Sequence, residues 1–123
     1  MPRILLAEDE EALRSLIERA LKQDGHEVVA TADGAAALDA LTAAAGEFDL
    51  LLTDIKMPLM DGIALALAAA RDHPRLIILL MTAYADQRER AANLDALIHD
   101  VILKPFTLAE IKAAVADALA ARR

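Results

Sequence analysis

Five short apolar runs punctuate the chain, and a stretch with helical spacing follows each one. The runs are Ile4–Ala7, Val28–Thr31, Leu50–Thr53, Leu76–Thr82 and Val101–Leu103. They read as continuous apolar strands rather than alternating ones, which predicts a sheet covered on both faces. Alternating β and α segments joined by short loops imply a parallel sheet with right-handed crossovers, an α/β doubly wound (βα)5 domain.

The intervening segments carry helix signals of their own. Leu13, Leu16, Ile17, Ala20 and Leu21 fall on one predicted buried stripe, and Gly25 stops that helix. A second, alanine-rich helix is predicted from about Ala35 to Ala45, ending near Gly46. A third follows Asp61-Gly62 and closes before His73-Pro74; a fourth begins near Asp86, which has capping-box spacing to Glu89. The fifth opens with Thr107 and Glu110 at the same spacing and carries Ile111, Val115 and Leu119 on one stripe.

With 123 residues, this alternation fills one domain over 1–123 and leaves no linker or repeat. The chain is 57% hydrophobic but only 2% aromatic, so Leu, Ile, Val and Ala must build the core. The absence of cysteine excludes disulfides, zinc-thiolate sites and thiol nucleophiles, and fits a cytoplasmic setting. A net charge of −7 with no Lys/Arg cluster argues against nucleic acid and anionic membrane as partners. The first apolar run is too short for a signal peptide or a membrane span. His26, His73 and His99 share no spacing and read as surface residues.

Polar residues gather where the strands end. The first strand runs into Glu8-Asp9-Glu10-Glu11, the third into Asp54, the fourth into Thr82 and the fifth into Lys104-Pro105. Taken singly, each has an ordinary structural reading: acids at a helix start, a turn aspartate, a solvated lysine. Taken together, they occupy one rim, the carboxyl ends of parallel strands. In an open α/β sheet the ligand crevice lies there, where the strand order reverses. For the order 2-1-3-4-5 that point lies between strands 1 and 3, flanked by Glu8, Asp9 and Asp54.

Three carboxylates in one crevice repel one another, and a divalent cation relieves the repulsion. Hard oxygen donors with retained waters suit Mg²⁺. Asp54 can then attack a phosphoryl group as a carboxylate nucleophile without a general base. Lys104 can cover one phosphoryl oxygen and the Thr82 hydroxyl can hydrogen-bond another.

These residues are also recognisable as a set. Ile4 to Glu10, the stretch Leu51-Leu52-Thr53-Asp54-Ile55-Lys56-Met57-Pro58-Leu59-Met60-Asp61-Gly62, Met81-Thr82-Ala83 and Leu103-Lys104-Pro105-Phe106 resemble the receiver domain of two-component response regulators. The resemblance covers essentially the whole chain and implies a flavodoxin-like fold with strand order 2-1-3-4-5. It implies that Asp54 is the phospho-acceptor, that Asp9 contacts Mg²⁺ directly and Glu8 through water, and that the Lys56 carbonyl is a further ligand. It makes Thr82 the switch hydroxyl and Lys104 the phosphate-binding lysine, with a cis peptide before Pro105. The implied partners are a histidine kinase or histidine phosphotransfer protein and a protein output partner. The chain looks like the free-standing receivers; its similarity to those controlling alphaproteobacterial cell-cycle proteolysis makes a protease adaptor or ATPase a candidate partner. Such a protein is a signalling switch rather than an enzyme.

One position departs from the family pattern. Receivers place an aromatic three residues before the lysine, where this chain has Val101; its only tyrosine, Tyr84, follows Thr82 by two residues. Tyr84 is therefore either a substitute switch residue or a solvated loop side chain. Two other α/β readings fit less well. A haloacid-dehalogenase-type phosphatase needs Asp-x-Asp after its first strand, and a flavodoxin needs a Ser/Thr/Gly-rich phosphate loop where four acids stand here. A receiver scaffold that binds partners without phosphorylation stays open.

Overall fold

The computed structural model describes residues 1–44, 47–94 and 96–121, with the side chains of 85 and 92 excepted. Ten elements alternate along the chain: β1 (Arg3–Ala7), α1 (Glu11–Gln23), β2 (Glu27–Thr31), α2 (Gly34–Ala43), β3 (Leu50–Asp54), α3 (Gly62–Asp72), β4 (Ile77–Thr82), α4 (Ala85–Ala92), β5 (Asp100–Leu103) and α5 (Leu108–Ala121). The strands form one parallel sheet in the order β2-β1-β3-β4-β5.

Strand pleating divides the core in two. Leu5, Leu51, Ile78 and Leu80 face α2 and α3, where Leu41, Leu65, Ala66 and Ala69 meet them. Ile4, Leu6, Leu50, Leu52, Leu79 and Met81 face α1 and α5, against Ile17, Leu21, Ile111 and Val115. Successive strand residues point to opposite faces, so a central strand must be apolar throughout. That holds for β1, β3 and β4 except at their ends, where Arg3 opens β1 and the polar residues Thr53, Asp54 and Thr82 close β3 and β4 at the rim. It fails for the edges: β2 buries only Val28, and β5 buries none of its four residues fully. An edge strand has a neighbour on one side only, and its outer flank meets solvent.

Several local signals form as expected. Gly25 adopts φ 89°. The His26 and Gly25 amides bond back to the Leu21 and Lys22 carbonyls, closing α1 with a Schellman motif. Asp61 caps α3 through the Ala64 amide at 2.8 Å. Thr107 and Glu110 exchange bonds from the Glu110 amide to Thr107 Oγ1 (3.1 Å) and from the Thr107 amide to Glu110 Oε1 (3.2 Å).

Other expectations need correction. Leu16 is 47% exposed, because it lies at the margin of the α1 stripe while Ile17, Ala20 and Leu21 sit at its centre. The N-cap of α4 is Tyr84, and Asp86 lies inside the first turn instead of capping it. His26 is half-buried and its Nδ1 is enclosed without a partner, because the turn that closes α1 folds it inward. Helix α2 begins at Gly34 behind the capping carboxylate of Asp33; the predicted end at Ala45-Gly46 lies outside the described residues. No helix among the described residues is long and apolar enough to cross a membrane.

Candidate functional site

Parallel pairing of β1 with β3 puts the residues that follow Ala7 beside those that follow Thr53. Carboxylate oxygens of Glu8, Asp9 and Asp54 all lie within 4.8 Å of one another. Glu8 is fully buried and Asp54 nearly so, whereas Asp9 faces solvent. Lys104 arrives from the far end of the chain, just after β5 and ahead of a cis bond to Pro105. Its Nζ donates to Glu8 Oε1 at 3.0 Å and to Asp54 Oδ2 at 3.1 Å. The other Glu8 oxygen accepts from the Glu10 amide at 3.1 Å.

Electrostatics follows from that packing. Burial pushes the Asp54 carboxyl above its ordinary value of 3.8, and the Lys104 ammonium only partly opposes it. Burial also raises Glu8, against the Glu10 amide and Lys104, while the nearby Asp54 charge adds to the rise. Burial lowers Lys104, but its bonds to Glu8 and Asp54 outweigh that effect and hold it above its ordinary value. Three carboxylates facing one ammonium leave a formal charge of −3 + 1 = −2. A divalent cation matches that excess, and an all-oxygen donor set suits a hard ion such as Mg²⁺.

Backbone packing fixes the position of Asp54. The Gly62 amide donates to the Ile55 carbonyl at 2.7 Å, and a Cβ at Gly62 would fall onto the Asp54 carbonyl oxygen. Only glycine lets the start of α3 press this closely against the strand end. The Thr53 hydroxyl adds a bond to the Asp54 carbonyl at 2.9 Å.

The remaining predicted residues surround this centre without all pointing into it. Thr82 ends β4 and is buried, but its hydroxyl donates to Gln87 Oε1 at 2.8 Å and accepts from the Tyr84 amide at 3.1 Å. Lys56 is exposed and its Nζ lies 5.2 Å from the Tyr84 ring centroid, linking the loops after β3 and β4. Val101 is half-buried against the α2/α3 side of the core. Sequence reasoning missed Gln87, Thr53 and the Glu8–Lys104 contact. Gln87 carries only a weak signal, a glutamine three residues after the N-cap of a helix.

A family model described as a response regulator receiver domain matches residues 4–116. The transcriptional regulatory protein PrrA of Mycobacterium bovis is 34% identical over 122 residues, covering 99% of this chain and 51% of PrrA. The response regulator MprA of Mycobacterium avium is 37% identical over 111 residues, covering 90% of this chain and 48% of MprA. The chain thus spans about half the length of these curated relatives. Among solved structures, the response regulator protein TrrA from Thermotoga maritima, in complex with Mg(2+)-BeF, superposes with a TM-score of 0.85 at 29% identity. That match covers 96% of this chain and 99% of TrrA. The receiver domain of the hybrid histidine kinase CckA gives a TM-score of 0.81 at 31% identity, covering 95% and 98% of the two chains.

Proposed function

This chain belongs to the response regulator receiver domain family of two-component signalling, and on that footing we propose that it is one receiver domain over residues 1–123 that switches when Asp54 accepts a phosphoryl group. The observation that carries this reading is the meeting of Glu8, Asp9, Asp54 and Lys104 in the crevice between β1 and β3, with an excess of negative charge.

Asp54 is the nucleophile. One of its oxygens forms a bond to phosphorus as the bond to the donor's imidazole nitrogen breaks, and that nitrogen keeps the electron pair. Asp9 would hold the metal directly, and the Lys56 carbonyl would serve as a further ligand. Glu8, whose oxygens are already engaged by Lys104 and the Glu10 amide, acts through water. Bound Mg²⁺ supplies positive charge against the phosphoryl oxygens. Lys104 turns from the two carboxylates toward one phosphoryl oxygen, and the Thr82 hydroxyl takes another. Tyr84, on the loop after Thr82, takes part of the switch role that Val101 is too short to fill.

The donor is a histidine kinase or a histidine phosphotransfer protein, in the cytoplasm. The output partner is a protein, with a protease adaptor or ATPase among the candidates. PrrA is named a transcriptional regulator, but this chain covers only about half of it, so no DNA-binding role is carried over. The chain works as a switch, not as an enzyme with an independent substrate.

Incubation with acetyl phosphate and Mg²⁺ should label the protein once, with a hydroxylamine-labile group. Asp54→Asn should abolish the label. Label of that kind persisting in the Asn variant would move the acceptor elsewhere.

A further inference from the structure

Helix α4 is held to the rest of the molecule differently from its neighbours. Among its described side chains only Ala91 is buried, and the other described ones, Asp86 to Arg90, are all polar. Its N-cap residue, Tyr84, makes no side-chain capping bond. The first turn is closed by a residue from outside the helix. The Tyr84 amide donates to Thr82 Oγ1, and the same hydroxyl donates to Oε1 of Gln87, at the third helical position. In an ordinary capping box a glutamine at that position reaches back to the N-cap amide directly. Here the Thr82 hydroxyl is interposed between the two.

A hydroxyl has one proton to donate. The Thr82 proton can go to Gln87 or to a phosphoryl oxygen on Asp54, but not to both. We propose that Gln87 is a resting-state latch: it holds the Thr82 hydroxyl as the cap of α4 and competes with the phosphoryl group for it. The competing half of this inference rests on Asp54 as phospho-acceptor; the latch itself does not. By linkage, the competition runs both ways: the latch weakens binding of the phosphoryl group, and the phosphoryl group loosens the first turn of α4.

Gln87→Ala removes the acceptor without touching Thr82, Asp54 or Lys104. One neutral hydrogen bond sets the scale, an effect of about fivefold. In the protein without ligand, hydrogen exchange of the α4 amides should quicken about fivefold relative to those of α3, while Gln87→Glu, which keeps an acceptor, should protect them at least as well as wild type. With Mg²⁺ and beryllofluoride as the phosphoryl probe, Gln87→Ala should bind about fivefold more tightly than wild type. In a Thr82→Ala background the same substitution should change the affinity less than twofold, because the shared hydroxyl is gone.

Unchanged α4 exchange in Gln87→Ala overturns the latch. Equal tightening with and without Thr82, or none, overturns the competition. A wild-type protein that fails to bind beryllofluoride removes the phospho-acceptor reading and the competition with it; quickened α4 exchange in Gln87→Ala then still supports the latch.

Discussion

Helices α3 and α4 both leave the rim of the site, and they are secured by opposite means. Helix α3 buries Gly62, Ile63, Leu65, Ala66 and Ala69, takes a carboxylate cap from Asp61 and presses its first residue against the Asp54 backbone. Among its described side chains helix α4 buries only Ala91, and its polar contacts include the Thr82–Gln87 bond and an exposed Arg90–Asp61 pair at 3.8 Å. Apolar burial is indifferent to a charge arriving at Asp54, whereas a hydrogen bond to a rim hydroxyl is not. On the proposed reading, the α3 side holds Asp54 still and the α4 side responds to it.

The largest test of that contrast is Leu65→Ala. Leu65 is fully buried in α3, and its truncation should cost about 3 kcal/mol in chemical denaturation. A loss below about 1 kcal/mol would mean that α3 is not the firmly packed partner. Asp61→Ala comes next. Removing this cap should cost about 1 kcal/mol, and the loss should appear as faster exchange in the first turn of α3 with Ala64 most affected.

A smaller, pH-dependent effect separates the charge at the site from the packing around it. Asp54 has a folded-state pKa above its unfolded one, so the folded protein binds more protons between the two values. Stability therefore falls as pH rises from the ordinary aspartate value through the raised one. Without metal, the wild type should lose stability relative to Asp54→Asn as pH rises from about 4 to about 7. A gap between the two that does not widen over this range would show that burial does not penalise the Asp54 carboxylate. Smallest of all is Arg90→Ala. Its pair with Asp61 is exposed on both sides, so the cost should stay below about 0.5 kcal/mol. A larger loss would show that the surface pair, rather than Gln87, ties α4 down.

The site and the fold were legible in the sequence to different depths. All five strands are legible from their apolar runs, with ends within one residue of those observed, because a short apolar run bounded by polar residues leaves a local mark even at the half-exposed edges β2 and β5. The capping of α5 by Thr107 and Glu110 was local too, so spacing sufficed. At α4 the same spacing rule misled: Asp86 and Glu89 have the separation of a capping box, but the helix had already begun at Ala85. Its first turn is capped from strand β4, and no window of sequence centred on the helix contains that information in readable form.

The sequence by itself determined the five βα units, the two apolar layers and the identity of the polar residues at each strand end. All of these follow from periodicity within one element or from the connection between two. Only the tertiary structure decided which of those polar groups meet. Lys104 and Glu8 are 96 residues apart and share a bond because β5 and β1 end on the same rim. Asp9 is exposed while Glu8 beside it is buried, and the Thr82 hydroxyl is given to Gln87. Such outcomes depend on how side chains share space, protons and charge once the strands are side by side, and that competition does not exist along an isolated chain.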